Sequence, residues 1–317
     1  MRRTLKIGFW TLLYAAFVLA AVMLRAALAE PENAEILGWD YGLYVRQIQD
    51  WSWVAYTGFR HPGLGLVMSP LVALEHLWPL AYLLVMPLVA LATAGLVFRL
   101  GGWLALALHL LLPGTWLLAG TPESFPVAEL GLVASVAFAA WGSSRRALVF
   151  AALNAAVTLT NGAKVILAFV VASPRRRDVR RLVVAGAVLA AMGVVFFLVR
   201  AQLTGRPCGE GIVKTLSWIP ETRRLGRELY GFFLRPMGIA ALLVYPLAFG
   251  GAVRILRGGS VEERALLKAL AAYFAVDALI HLVIGWGMAE PWVFAPHYQW
   301  MAVVLAGKCR GRWLGGR

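Results

Sequence analysis

The chain has 317 residues, 61% of them hydrophobic and only 15% charged, whereas a soluble domain averages near half apolar and a quarter charged. Apolar runs close to the twenty residues that a bilayer-crossing helix needs recur along the length. The composition excludes an ordinary soluble protein and predicts an all-α, polytopic membrane protein, one integral domain over residues 1–317 with no separate soluble part.

The net charge of +14 suggests a nucleic-acid partner until the charges are placed. "MRRTLK", Arg99, "SSRR", "PRRRDVRR", "RILRGG…RALLK" and "KCRGRWLGGR" fall between apolar runs. Put on one side, they give it 19 basic and 3 acidic residues, leaving 11 against 13 for the other. That asymmetry is the positive-inside pattern. It predicts cytoplasmic termini and contact with anionic lipid headgroups, and no nucleic acid. Cys208 and Cys309 fall on opposite sides in this topology, so no disulfide is expected, and no metal-ligand spacing occurs.

A first helix is predicted over residues 7–28. "MRRTLK", the apolar run and "ALA" also fit a cleavable signal peptide, but the run exceeds a usual signal core and further spans follow, which favours a retained helix. Residues 29–62 form the first large outer loop. Within it, residues 36–53 read as an amphipathic helix in the interface, with Leu37, Tyr41, Tyr44, Ile48 and Trp51 on its apolar stripe. Asp40 and Gln47 are seven residues apart, nearly aligned, at the edge of that stripe. Partial desolvation there would strengthen Asp40 as a base; an ordinary solvated acidic residue is the alternative. Arg46 and Asp50 form an i,i+4 pair facing water. "FRHPG" closes the loop, with Arg60 and His61 at headgroup height, suited either to a lipid-linked phosphate or to simple anchoring.

The apolar piece 64–74 is too short to span and reads as re-entrant or interfacial, with Glu75 and His76 at its turn. Spans are expected at 78–98, ending at Arg99, and at 102–120 and 125–142, joined by an outer turn "GTPESFP". Glu123 points into the same outer space as Asp40; Ser124 reads as a helix cap. Residues 147–173 then lie between two arginine clusters. Two crossings keep both clusters inside, but each arm is then only about 20 Å at 1.5 Å per residue, against a hydrocarbon core of about 30 Å. The tip "TNGAK", with Asn161 and Lys164, would sit within the membrane's depth. Lys164 there requires an anionic partner or snorkels to the headgroups.

Further spans are expected at 182–203, 236–256, 266–287 and 293–308, about ten in all, with a second outer loop at 204–235. That loop carries Arg223, Arg224 and Arg227. Asp277 and His281, at i and i+4, share one face of a membrane helix as a functional or a packing pair. His297 returns to the outer face among aromatic residues.

In their order these parts resemble the GT-C class of integral-membrane glycosyltransferases: a first helix, an outer loop with an acidic residue in "GWDYGLYVRQ", then "RHP" opening the next membrane segment. "ESFP" and "LTNGAKVILAF" resemble, more specifically, a bacterial family of polytopic proteins of unassigned function, over most of the first 180 residues. The resemblance implies a polyprenyl-phosphate-sugar donor, a lipid, glycan or protein acceptor, and a periplasmic active site in the bacterial inner membrane. Asp40 would be the catalytic base. Arg60 and His61 would lie near the donor phosphate, with Gln47, Glu123, Asn161, Lys164 and His297 as substrate-binding candidates. No metal or other cofactor is required, since these cations would stabilise the leaving phosphate. The chain departs from the pattern in lacking a soluble periplasmic domain and a second acidic residue beside Asp40. A proton-coupled lipid or solute carrier and an inactive scaffold are the competing readings.

Overall fold

The structure, a computed structural model, describes residues 2–28, 64–121, 124–141, 143–157, 159–172, 237–280 and 298–309, together with 180 and 184. Every regular element among them is helical. In chain order they are α1 (Arg2–Leu28), α2 (Leu64–Leu77), α3 (Tyr82–Leu110), α4 (Pro113–Ala119), α5 (Ser124–Ala140), α6 (Ser144–Val157), α7 (Leu159–Ala172), α8 (Ala241–Gly258, after a 3₁₀ turn at Gly238–Ala240), α9 (Val261–Ala278) and α10 (Gln299–Gly307). Among the described residues, three stretches are long and apolar enough to cross a bilayer: Thr4–Ala27, Tyr82–Leu110 and Gly238–Gly258. The bent pair α4 and α5 makes a fourth if counted as one span. This is consistent with an α-helical membrane protein. The expected interfacial helix at 36–53, the span at 182–203 and the second outer loop lie outside the described residues.

The chain's interruptions have local causes. Glu75, at the end of α2, accepts hydrogen bonds from the backbone N–H of Leu80 (2.6 Å) and Tyr82 (3.0 Å). A carboxylate is thus held on the free amides at the start of α3, and the helix begins at Tyr82 rather than at residue 78. The span expected to end at Arg99 instead continues to Leu110, interrupted only at Gly102, whose φ of 76° and ψ of −167° suit glycine alone. The expected uninterrupted span 102–120 is not found. Pro113 has no N–H and forces Leu112 into an extended conformation (φ −77°, ψ 126°), so one helix stops and α4 starts. The carbonyls freed at this break are recovered by side chains: Thr115 Oγ1 donates to His109 O and Trp116 Nε1 to Leu110 O, both at 2.7 Å.

α6 and α7 match the predicted short arms. Each has 14 residues, α6 ending at Val157 and α7 beginning at Leu159, and so rises only about 21 Å; "TNGAK", expected as the tip between the arms, lies within α7. They pack on one another, with Gly162 so near Ala155 that a Cβ on it would lie 2.5 Å from the alanine's own. α9 begins at Val261 instead of 266 because Ser260 and Glu263 form a reciprocal capping box.

The main apolar cluster joins α3, α5, α6, α7, α8, α9 and α10, through residues such as Leu100, Leu132, Ala151, Val165, Val244, Leu270 and Trp300. α1 packs on α3 and α4 through Leu13 and Phe17. Small residues let these backbones approach: a Cβ on Gly251 would meet Leu305 O at 1.9 Å, and one on Gly307 would meet Gly101 O at 2.2 Å. Close contact of this kind drives helix association where apolar burial cannot. Gly251→Val should therefore lower the thermal midpoint in detergent, by about 1–3 kcal/mol in stability. Gly95→Ala, with nothing within 4 Å of the added methyl, should not lower it, since alanine is the better helix former.

At the start of α9, Glu263 also pairs with Arg254 of α8. Partial burial pushes the Glu263 carboxyl up, but the Arg254 and Ser260 hydrogen bonds and the Arg254 and Lys308 charges outweigh it and hold the carboxyl below its ordinary value of 4.5. A lowered acid stabilises the fold above its unfolded value and loses that contribution as pH falls through the folded one. Glu263→Gln keeps the capping box and removes the charge. Its stability deficit against wild type, under about 1 kcal/mol for a surface pair, should be present at pH 7 and shrink below pH 4.5.

Candidate functional site

One group of the polar and charged residues buried inside the bundle gathers around α7 and α9. Lys164 is 1% exposed and Asp277 0%, and their Nζ and Oδ1 atoms form an ion pair between the two helices. Of the two readings of Lys164, the anionic partner is the one found. The cation also faces the ring of Tyr273, 5.6 Å from its centroid. Tyr273 lies one turn before Asp277 on the same face of α9, so α9 presents a carboxylate and a π-face to one ammonium. Behind it, the Tyr273 and Trp300 rings meet edge-on at 6.0 Å, which ties α9 to α10.

Asn161 lies a turn before Lys164 on α7 and is fully buried. Its Nδ2 donates to Asn154 Oδ1 of α6 across 3.5 Å. Asn154 sits against Gly131 of α5, where a Cβ would come within 2.4 Å of its Nδ2. Only glycine leaves room for the amide there. Glu129, two residues before Gly131, is also buried, and α5 packs against α6, α7 and α9. Four helices thus contribute to one polar layer: Glu129 from α5, Asn154 from α6, Asn161 and Lys164 from α7, Tyr273 and Asp277 from α9.

Within that layer Asn154 Nδ2, Asn161 Oδ1 and Tyr273 Oη are buried with no hydrogen-bond partner among the described residues. Buried polar groups are nearly always satisfied. A donor, an acceptor and a hydroxyl left open together are the groups that enclosed water or a polar ligand would complete. The layer can hold a charge pair in a low-dielectric interior and bring a carboxyl and a phenol close to it. Both are requirements for moving a proton or orienting a polar group.

Of the sequence-derived candidates, Asn161 and Lys164 meet here. Asp40, Gln47, Arg60, His61, Glu123 and His297 lie outside the described residues, as do His281, Arg223, Arg224 and Arg227. Asp277 has an ion pair with Lys164; its expected pairing with His281 lies outside the described residues. Ser124, expected as a cap, is the first residue of α5, and its buried Oγ has no partner among the described residues. Sequence reasoning missed Asn154 and Tyr273. Tyr273 had a usable signal, its i,i+4 spacing to Asp277; Asn154 had none stronger than being polar within an apolar run.

No family model, curated protein or solved structure matches the chain.

Removing one member of a buried ion pair strands the other charge and costs about 3–5 kcal/mol, whereas replacing both with apolar residues costs far less. Lys164→Met alone should sharply lower the folded yield and thermal midpoint. Lys164→Met with Asp277→Leu should recover most of the loss. Additive losses in the thermal double-mutant cycle would mean that the two residues do not interact.

Proposed function

We propose that this chain is a GT-C-type membrane glycosyltransferase with about ten spans. It transfers a sugar from a polyprenyl-phosphate donor to a lipid, glycan or protein acceptor on the extracytoplasmic face of a bacterial inner membrane. The observation that carries this reading is the motif order in the sequence, "GWDYGLYVRQ" and then "RHP" at re-entry into the membrane. "ESFP" and "LTNGAKVILAF" add the narrower resemblance, to a bacterial polytopic family of unassigned function.

In the mechanism, Asp40 takes the proton of an acceptor hydroxyl as that oxygen attacks the anomeric carbon. The bond from that carbon to the phosphate oxygen breaks, its electron pair leaves with the polyprenyl phosphate, and the configuration inverts. Arg60 and His61 stabilise the negative charge growing on the phosphate. The ion pair with Asp277 changes the part assigned to Lys164. A lysine engaged with a buried carboxylate orders α7 against α9, and reaches a phosphate only by leaving that partner.

The same pair favours a second reading, a proton-coupled carrier, in which protonation of Asp277 frees Lys164 inside the bundle. Turnover of polyprenyl-phosphate sugars by the purified chain, with membrane lipid extract as acceptor, separates the two. Asp40→Asn should cut turnover by about 10²–10⁴-fold, the usual worth of a general base. Turnover unchanged in Asp40→Asn removes Asp40 from the mechanism. No turnover by wild type, with solute uptake into proteoliposomes driven by a pH gradient, favours the carrier.

A further inference from the structure

A second cluster lies away from the buried pair, where the break in α3 meets the turn between α5 and α6. Arg99 of α3 stacks its guanidinium on the Trp141 ring, 4.6 Å from the centroid. Arg146 of α6 lies 5.7 Å from the Phe138 ring centroid. Phe138 meets Trp141 edge-on at 5.5 Å and stacks on Phe150 at 5.4 Å. On the other side of Arg99, the rings of Phe98 and Trp103 lie 4.7 Å apart, and α1 adds Trp10 and Phe9 against them.

Two properties of this cluster point to a ligand. Arg99, Arg145 and Arg146 are exposed, and none has an ion-pair partner among the described residues. Trp103 and Trp141 are 39% and 40% exposed, although both join the aromatic contacts. Half-exposed tryptophans drawn from neighbouring helices mark the level where acyl chains give way to headgroups. Arg99 on the Trp141 face and Arg146 beside the Phe138 ring hold planar donor forks at that level, suited to two oxygens of one phosphate.

We propose that Arg99 and Arg146, with Trp141, form a binding site for the phosphate headgroup of an anionic phospholipid, to which exposed Arg145, next to Arg146 in the first turn of α6, adds positive charge. Arg99 and Arg146 bind the phosphate, Trp141 fixes the orientation of Arg99, and the half-exposed rings face the upper acyl chain. The site is independent of the transferase reading, since it uses none of the residues placed in that mechanism.

The test uses native mass spectrometry of the full chain in neutral detergent, titrated with phosphatidylglycerol or with phosphatidylcholine of the same acyl chains. Wild type should retain a phosphatidylglycerol molecule in preference to phosphatidylcholine. Each arginine near a membrane surface contributes about 1 kcal/mol towards anionic lipid, so each Arg→Gln change should weaken retention about fivefold. Arg99→Gln/Arg145→Gln/Arg146→Gln should abolish the preference, while Arg257→Gln, an exposed arginine on α8, should keep it. If the triple variant does not purify folded, Arg99→Gln alone carries the test with its fivefold loss. Retention in the arginine variants equal to wild type, an equal loss in Arg257→Gln, or displacement by millimolar inorganic phosphate would each overturn the proposal. The last outcome would identify a free-anion site.

Discussion

A lysine ammonium shut inside an apolar bundle must have a negative partner beside it, and Lys164 has Asp277. An isolated charge at that depth costs several kcal/mol, so the pair constrains which helices can be neighbours. It fixes α7 against α9, and the rest of the polar layer follows that contact. Tyr273 covers the ammonium because it shares Asp277's face. Asn161, a turn away from Lys164, is brought within reach of Asn154. Gly131 has no side chain because Asn154 occupies its space. The specificity of the bundle interior resides in these polar contacts, since leucine and valine fit against one another in many ways.

Around that layer, the apolar helices meet through their smallest residues. Gly251 against Leu305, and Gly307 against Gly101, bring α8, α10 and α3 to backbone contact. The breaks keep the helices short enough to share one core. Gly102 interrupts α3, Pro113 separates α4, and α6 ends at Val157 before α7 begins at Leu159. Each break leaves backbone groups that apolar surroundings cannot satisfy, and nearby side chains answer at two of the chain's turns. Thr115 and Trp116 take the carbonyls before Pro113, and Glu75 takes the amides before α3.

Much of this was legible in the sequence where the signal was local. Hydropathy located most of the described helices, and the length of residues 147–173 between arginine clusters favoured two short arms. For Lys164 the sequence left two readings open, an anionic partner or snorkelling to the headgroups, and it did not point to Asp277, which is remote in the chain. The pairing of Asp277 with His281 lies outside the described residues. The break at Pro113 was overlooked because hydropathy averages across a single residue, although the missing N–H of proline was a sufficient warning. Arg99 was read as the end of a span because it is charged. Instead it rests on Trp141, and the backbone yields three residues later at Gly102. For the first outer loop, with Asp40, Arg60 and His61, the sequence pattern is the whole of the argument.

The transferase reading and the buried pair are therefore distinct layers of one account: a loop chemistry inferred from motifs, on a bundle held by a charge pair. The account depends most on Lys164 being enclosed with its partner instead of extended to the headgroups. A membrane-impermeant amine reagent, applied to native proteoliposomes opened to both faces and followed by peptide mapping, reads this directly. Lys6 and Lys268, both exposed, should be modified, and Lys164 should react only after denaturation. Modification of Lys164 in the native protein at the rate of Lys6 would contradict the account.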